Sequence, residues 1–518
     1  MTVTLVNKFT FISLLLALLP SMALAQEVAY NKQSLDYSGL ELNTATSQWF
    51  NTENSAGLAF SPIEEFNTVS LGFSHENGDY RLRQTGNVEN DFRFDTEGAT
   101  VLGKMALWGL FSYDYISSKG STYNTLLYNP YDERFLYTVA DPVESTWKRQ
   151  SYFMEFKAAT PIVSDRLFAG LHLQYNDRVA AKQNDPRAET YNYNITVIPS
   201  VLLRLGDSKI GCGFFYANTF ERSYPSISNT QEVQLVYVLK GLGNYTTDYV
   251  GSNNLGTMYY RCNTYGGSLL YSIDLGSTSL LAEVAYRNHG TETTESATQP
   301  DSYGKTSVNE LEATINAQWG SEWRSVVALV FAGRFTTGTE HTTVFDSSSG
   351  EYEIRSAIDQ VDMKTYDFTL SYDAYKTVDS GYAWHIAASA GLTMKDDSYA
   401  LPYSCFTFDN AWLGLAADRN LGFRGSSLLV GASLKALMNL SGKYEYGGTQ
   451  GDSVIVTDLY SVNHEIVTSD YLQAGVSAAW AITLPKSRKL GLSLDASYLA
   501  AQSSLSRLSL TTAISLIF

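Results

Sequence analysis

The sequence predicts an all-β protein: a single antiparallel, up-and-down transmembrane β-barrel of about 18 strands, with 14 or 16 strands as the alternatives. Three observations predict this fold. Apolar and polar residues alternate along many segments, short turns and long connections alternate along the chain, and aromatic residues are abundant, with 36 Tyr, 24 Phe and 8 Trp among 518 residues. Charged residues make up only 17% of the chain, which suits a wall with one face in lipid.

Residues 1–25 have the features of a cleaved signal peptide. Lys8 supplies a short basic region, an apolar stretch follows it, and Ala23-Leu24-Ala25 forms a small-x-small cleavage pattern. The mature chain is therefore expected to begin near Gln26 and to be exported. No later apolar run reaches the roughly 18 residues of a membrane-spanning helix, so no such helix is predicted.

Residues 26–66 precede the first predicted strand, which leaves 67–518 for the barrel. The N-terminal segment can fold back into the lumen as a hatch, or it can be an ordered lead-in to the first strand. The stretch SQWFNTENSAGLAFSP (47–62) resembles the N-terminal hatch of the FadL-type hydrophobic-compound channels, which contains Asn-Pro-Ala. The hatch candidate here, which lacks the proline, is Asn54, Ser55, Ala56 and Gly57.

Short turns and long connections follow one another along the chain. Short turns are predicted at 160–165, 205–209, 275–279, 320–323, 378–381, 421–425 and 485–489. Long connections are predicted at 118–145, 181–189, 222–258, 290–303, 338–361 and 442–467. In outer-membrane barrels the short turns are periplasmic and the long loops extracellular. Because 79–98 keeps its alternation, we interpret it as one long strand that pairs with 67–75 across the turn HENGD.

The segment RLSLTTAISLIF at 507–518 predicts a last strand with one apolar face. This strand is expected to pair with the first strand, because closure leaves no unpaired edge in lipid. Its ending on Phe518 resembles the terminal signal by which the outer-membrane barrel assembly machinery recognises its substrates. The resemblance implies that this machinery is a partner of the chain.

Charged residues of both signs fall on the lumen-facing side of the predicted strands. Such charges are expected for solvation, and opposite charges can pair into ladders that stiffen the wall. The alternative is that they line a permeation path or hold a polar solute, because isolated exposed pairs contribute only about 0–1 kcal/mol each. The candidate lumen-lining residues are Arg81, Arg83, Glu89, Asp91, Arg93, Asp95, Lys435, Asp495 and Arg507.

Three segments resemble the DUF6850 family, a group of uncharacterised outer-membrane barrel proteins of Bacteroidota. They are DFRFDTEG…LGKMALWGLFSY (91–113), YNPY (128–131) and NDPRAETYNYNITVIPS (184–200). The resemblance implies a barrel in the outer membrane and implies no particular activity or substrate.

Other classes of function have little support. The net charge of −17 argues against nucleic acid as a partner. The six histidines occur in no Ser/His or Asp/His motif, so no enzyme is expected. No His, Cys or carboxylate spacing indicates a metal site, and no cofactor is expected. The three cysteines, Cys212, Cys262 and Cys405, are interpreted as small apolar residues, with one disulfide as the alternative.

Together these patterns predict a protein of the outer membrane of a Gram-negative bacterium. Its expected role is passive or hatch-gated passage of a small solute. Expected partners are outer-membrane lipid and lipopolysaccharide, and a periplasmic or surface lipoprotein. The alternative is a plugged barrel that acts as a surface-exposed binding or structural protein, through the Tyr/Asn-rich loops at 123–142 and 244–261.

Overall fold

A computed structural model describes residues 35–518 of the protein, except residues 60, 62, 128–131, 164, 230, 252–254, 380 and 503. The predicted signal peptide, residues 1–25, lies outside the described residues. So do residues 26–34 of the predicted N-terminal segment and the sequence YNPY at 128–131.

Strands make up most of the described chain. In chain order they are β1 (Phe66–Gly78), β2 (Val88–Leu102), β3 (Met105–Ser121), β4 (Val139–Ala140), β5 (Ser145–Val163), β6 (Leu167–Lys182), β7 (Arg187–Leu205), β8 (Ser208–Ser226), β9 (Gln234–Gly241), β10 (Asn244–Val250), β11 (Met258–Leu275), β12 (Thr278–Glu295), β13 (Asp301–Trp319), β14 (Trp323–Asp346), β15 (Glu351–Val378), β16 (Gly381–Tyr399), β17 (Ser404–Phe423), β18 (Ser426–Tyr446), β19 (Tyr471–Thr483), β20 (Lys489–Ala501) and β21 (Ser506–Ile517).

Short helices occur before and between the strands. Helix α1 (Tyr37–Ala45) precedes β1, and α2 (Ser461–Val467) follows a π-helical segment (Ile455–Tyr460) between β18 and β19. Single 3-10 turns are formed by Ser55–Ala59 and Pro485–Ser487. In the part of the chain that the structure describes, no helix is both long and apolar enough to cross a membrane.

Eighteen of the strands form one closed antiparallel barrel, which confirms the predicted fold and strand number. Closure is made by β1, which pairs with β2 on one side and with β21 on the other. At the seam, Asn67 N donates to Phe518 O at 2.8 Å and Phe518 N donates to Asn67 O at 3.0 Å. Among the described residues, each of the eighteen wall strands therefore pairs with a neighbour on both sides. Strands β4, β9 and β10 form a separate three-stranded sheet.

The two faces of the wall carry different side chains, as the alternation predicts. On β18, Val430, Leu434 and Met438 are exposed on the outer face. The ammonium of Lys435 points the other way and lies 4.7 Å from the centre of the Trp412 ring. An apolar outer belt with a polar interior is typical of transmembrane barrels.

The two ends of the barrel differ in their connections. One end, called the turn end below, has short turns such as 103–104, 206–207 and 276–277. The other, called the loop end, carries the long connections, including 122–144 and 227–257. Both β1 and β21 meet the turn end, because β1 begins and β21 ends there. In transmembrane barrels the turn end faces the periplasm.

The first hairpin corrects the interpretation of 79–98. Strand β1 extends to Gly78 and pairs with 88–99, whereas 79–87 is a loop, so the turn is not HENGD. The loop satisfies its own backbone, since Thr85 N donates to Leu82 O at 3.0 Å and the Arg81 guanidinium donates to Thr85 O. Polar and apolar residues happen to alternate through 79–87, but a compact loop does not send successive side chains to opposite faces as a strand does.

Candidate functional site

Residues 35–59, called the plug below, lie inside the barrel at its turn end. Helix α1 begins after Asp36, whose carboxylate accepts hydrogen bonds from the Gly39 amide at 2.9 Å and the Ser38 hydroxyl at 2.7 Å. Asn420 of β17 donates to the Ser38 hydroxyl at 2.7 Å, which joins the start of the plug to the wall. From there the plug crosses the lumen toward the opposite wall.

The hatch candidate Asn54–Gly57 is buried where the plug meets that wall. The Asn54 amide donates to the carbonyl oxygens of Val201 at 3.1 Å and Cys212 at 3.3 Å. The turn fits because the wall has a glycine beneath it: a Cβ on Gly170 would lie 2.3 Å from the Ala56 nitrogen. These contacts place the hatch candidate against strands β6, β7 and β8 of the wall.

Charged side chains of the wall contact the plug on two sides. The Lys157 ammonium of β5 donates to the Phe50 carbonyl oxygen at 2.7 Å. Across the lumen, the Arg287 guanidinium of β12 forms ion pairs with Glu53 of the plug, with Glu310 at 3.2 Å and with Glu312 at 3.3 Å. Lys157 is buried and the Arg287 side chain is 12% exposed, so both cations are largely shielded from water.

A third contact lies at β16, where Tyr382 donates to the Glu41 carboxylate of α1 at 2.5 Å. The ring of His385 lies 3.5 Å from the same carboxylate and also contacts Asp373 and Asp418. Burial raises the pKa of Glu41, and the hydrogen bond from Tyr382 and the charge of His385 offset this only in part.

A cavity of about 750 Å³ remains between the plug and the wall. Aromatic rings of Tyr37, Phe50, Phe66 and Trp108 line it together with the cations Lys157 and Arg287. Carboxylates outnumber these cations, since the cavity also contacts Glu41, Glu53, Glu97, Glu155, Glu283 and Glu312. The cavity beside the plug therefore combines an aromatic lining with charged groups that are predominantly acidic.

The predicted ladder divides into separate groups. On β2, Arg93 contacts Asp114 at 2.5 Å and Asp91 at 3.7 Å, and Asp95 accepts a hydrogen bond from Ser112. These contacts fit the interpretation as a wall-stiffening ladder. Glu89, near the end of the same strand, lies opposite Glu76.

The remaining predicted residues lie elsewhere. Arg81 and Arg83 belong to the loop 79–87 instead of the wall, and Arg83 pairs with Asp458 of the π-helical segment. Arg507 pairs with Glu76 at 2.5 Å near the loop end. Asp495 borders a smaller cavity of about 250 Å³ along β17–β21, together with Asp418 and small residues.

The loop end is filled by a second structure, called the cap below: residues 122–127, 132–144, 234–250 and 454–467. Strand β9 pairs with β10 and with β4. The sheet contributes Val139, Val236 and Val238 to a buried apolar cluster. The sequence missed the cap, although the alternating stretch QLVYVLKG (234–241) followed by a glycine turn could have indicated the hairpin.

Glu133 fixes the cap to the far wall. Its carboxylate contacts Lys395 at 2.6 Å and accepts hydrogen bonds from Thr336 at 2.9 Å and Thr365 at 2.8 Å. Because the loop starts at β3 and these partners lie on β14–β16, it spans the lumen. Burial alone would raise the pKa of Glu133, but Lys395, Thr365 and the charge of Arg334 hold it below its usual value.

A family model, described as a family of unknown function (DUF6850), matches residues 55–518. The chain belongs to the DUF6850 family. The match includes the whole barrel and the end of the plug, from Ser55 onward. It confirms the resemblance seen in the sequence, and the family description assigns no activity. No curated protein sequence matches this DUF6850 chain.

Solved structures with a similar arrangement have low sequence identity to this DUF6850 chain. The outer membrane transporter YddB from Escherichia coli has 9% identity and a TM-score of 0.41, with 88% of this chain and 81% of that chain covered. The ferric preacinetobactin receptor BauA from Acinetobacter baumannii has 9% identity and a TM-score of 0.38, with 88% and 80% covered. The ferric yersiniabactin uptake receptor FyuA from Yersinia pestis has 9% identity and a TM-score of 0.40, with 88% and 79% covered.

One Ser/His pair of the DUF6850 chain resembles part of a catalytic arrangement. Ser302 Oγ lies 2.8 Å from His341 Nδ1, but among the described residues His341 forms no ion pair with a carboxylate that would orient it. This pair alone does not make a hydrolase site. Within the described ranges no three His, Cys, Asp or Glu side chains are grouped to hold a metal ion, and Cys212, Cys262 and Cys405 are free thiols.

Proposed function

We propose that this chain spans the outer membrane of a Gram-negative bacterium and lets a small polar solute pass through its lumen when the plug moves. The apolar outer belt and the charged lumen support a membrane location. In this orientation the plug closes the periplasmic end and the cap closes the extracellular end. The solute would pass along the cavity beside the plug.

The observation that carries the proposal is how the plug is held. Its own backbone hydrogen bonds, such as Phe50 N to Ser47 O at 3.1 Å, maintain its shape. The links described above between plug and wall run through side chains, among them Lys157, Arg287 and Tyr382. A segment attached in this way can shift without breaking a strand pair of the barrel.

Conductance in planar bilayers tests the proposal. A variant that lacks 35–59 is expected to give larger or longer open-channel steps than the native protein. The matched control is Arg507→Ala, which removes the ion pair with Glu76 near the loop end and leaves the plug contacts intact. Migration of heated and unheated samples in gels verifies that each barrel is folded. Equal currents from the native protein and the plug deletion would reject gated passage.

The alternative function, capture of a partner by the Tyr/Asn-rich loops, has less support. Tyr123, Tyr137 and Tyr260 of these loops are 3%, 1% and 0% exposed, because they pack in or against the cap. Tyr249 remains exposed. Tyr123, Tyr137 and Tyr260 are therefore used in internal packing and are not offered to a glycan.

The proposal keeps the partners expected from the sequence. Lipid and lipopolysaccharide would surround the outer belt, and the assembly machinery would act on β21 with its terminal Phe518. A lipoprotein partner in the periplasm would meet the turn end. Replacement of Phe518 by Asp is expected to lower the yield of folded barrel, measured by gel migration of membrane fractions.

A further inference from the structure

The hairpin of β14 and β15 extends beyond the barrel. These strands have 24 and 28 residues. Strand β13 pairs with β14 only as far as Gly304 opposite Glu340, and β16 pairs with β15 only as far as Tyr399 opposite Val361. Residues 341–360, called the ribbon below, therefore extend as two paired strands about 20 Å beyond the last pair of β13 with β14. On the β14 side, residues before and in β13 contact the ribbon through side chains: Gln299 donates to the Gly350 carbonyl oxygen at 3.2 Å, and Ser302 Oγ lies 2.8 Å from His341 Nδ1. The sequence pattern predicts a long connection at 338–361, whereas these residues continue the paired strands β14 and β15 around a turn at 347–350.

The ribbon exposes apolar side chains on both of its faces. Phe345, Tyr352 and Ile354 are 45%, 39% and 49% exposed, and Val344 and Ile358 are 47% and 53% exposed. The rings of Phe345 and Tyr352 pair across the strands with centres 5.2 Å apart. A two-stranded hairpin is at best marginally stable alone in water, and a concentrated apolar patch on it indicates an interaction surface.

Lipid does not account for this patch, because a polar band separates it from the membrane belt. On the outer face of β14, Leu329 and Phe335 belong to the belt, and Thr337, Thr339 and His341 follow before Phe345. Thr339 donates to the Asp359 carboxylate at 2.6 Å within this band. The apolar end of the ribbon lies beyond it.

One edge of the ribbon is open to a further strand. The last backbone hydrogen bond between β15 and the wall on this side is donated by Ala400 N to Gln360 O at 2.7 Å. Beyond it, residues 351–359 of β15, all of them described, pair only with β14. An open edge of this kind accepts an extended peptide through main-chain hydrogen bonds.

The charge of the ribbon restricts what can bind there. The ribbon carries four carboxylates and one arginine, Arg355, which pairs with Glu353 at 3.1 Å. A second copy of this chain would bring like charges together edge to edge, which is unfavourable, and so would an anionic glycolipid. The carboxylates are Asp346, Glu351, Glu353 and Asp359.

We propose that the ribbon binds an extended segment of a surface partner in which basic and apolar residues alternate, added as a third strand along 351–359. Main-chain hydrogen bonds to β15 supply the affinity. The carboxylates of the ribbon pair with lysine or arginine of the partner, and the exposed rings of the ribbon pack on the partner's apolar side chains. This binding goes beyond the proposed passage of solute and does not require the plug to move.

Peptide binding to the full chain in detergent tests the proposal. The probe is a short fluorescent peptide that alternates valine and lysine, followed by anisotropy. We expect binding that weakens about tenfold or more when alternate amides are N-methylated, because this removes the strand hydrogen bonds. A peptide with glutamate in place of lysine is expected not to bind. Equal binding of the N-methylated peptide, or no binding of the first peptide, would overturn the proposal.

Charge reversal identifies the site. Glu351→Lys combined with Glu353→Lys and Asp359→Lys is expected to exchange the preference, so that the glutamate peptide binds and the lysine peptide does not. The control reverses two exposed acids elsewhere at the loop end, Glu445→Lys at the end of β18 with Asp452→Lys in the connection that follows, and should bind like the native chain. Loss of binding in the control to the same extent would also overturn the proposal. Gel migration verifies that both variants are folded.

Discussion

The Lys157 ammonium of β5 donates a hydrogen bond of 2.7 Å to the Phe50 carbonyl oxygen and lies 4.5 Å from the centre of the Phe50 ring. The same ammonium lies 5.7 Å from the centre of the Trp108 ring. One buried cation thus joins the plug to the wall by a charged hydrogen bond and by cation–π contact. The position of the plug therefore depends on a few side chains that can be changed singly.

Replacement of Lys157 by Met is expected to loosen the plug. Methionine keeps an unbranched stem but loses the hydrogen bond to Phe50, and a hydrogen bond to a charged group contributes about 1.5–3 kcal/mol. The open probability in planar bilayers should rise about tenfold or more. Lys435→Met is the control, because that ammonium lies over Trp412 of β17. Identical gating of the native and Lys157→Met proteins would contradict this prediction.

Arg287→Gln is expected to have a larger effect than Glu53→Gln. Loss of the guanidinium leaves Glu53, Glu310 and Glu312 without their shared cation. Because these groups are only partly buried, the cost should stay below the roughly 3–5 kcal/mol of breaking a fully buried ion pair. Glutamine at 53 can still accept a hydrogen bond from Arg287. The double variant should resemble Arg287→Gln alone. The rate at which protease cleaves the plug measures the effect, and fully additive rates would argue against the coupling.

Gly170→Val is expected to displace the plug turn by direct contact. The new Cβ would lie 2.3 Å from the Ala56 nitrogen, a distance that backbone atoms cannot accommodate without moving. Protease should cleave the plug faster while the barrel migrates as before. Gly290→Val is the control, because the nearest atom to its Cβ is 4.0 Å away. A plug as protected as in the native chain would show that the turn is not seated on Gly170.

Acidification is expected to loosen the cap through Glu133. Its lowered pKa means that the ionised form is favoured in the folded cap, so this stabilisation is present above the ordinary value of 4.5 and is lost as the pH falls through the lowered pKa. Hydrogen exchange of residues 132–140 should therefore accelerate below that pH, after correction for the intrinsic rate. In Glu133→Gln the same residues should show no such step. A step of equal size in both proteins would assign it to another group.

Much of the wall could be predicted because strand parity is a local property. Residue alternation placed Asp91, Arg93 and Asp95 on one face of the strand, where Arg93 contacts Asp91 and Asp114 and where Asp95 accepts a hydrogen bond from Ser112. The same reasoning gave a wrong prediction at 79–87, where the residues alternate but form a loop. It also gave no sign that the 338–361 connection continues as paired strands, since the residues there alternate weakly and two bulges shift the register.

The site itself was only partly predictable. Asn54–Gly57 was chosen by its resemblance to the FadL-type hatch, but its partners Gly170, Val201 and Cys212 lie more than a hundred residues away, and no local pattern joins them. Likewise Glu133 meets Lys395 only because the barrel brings opposite walls within reach of one loop. Such contacts depend on the diameter and register of the closed wall.

The sequence by itself determined the barrel, because period-two alternation, turn spacing and strand closure follow from backbone geometry and from lipid on one side. Only the tertiary structure decided what fills the lumen. The plug, the cap and the cavity between them arise from side chains distant in sequence. These side chains meet because the closed wall leaves an interior whose buried charges must find partners.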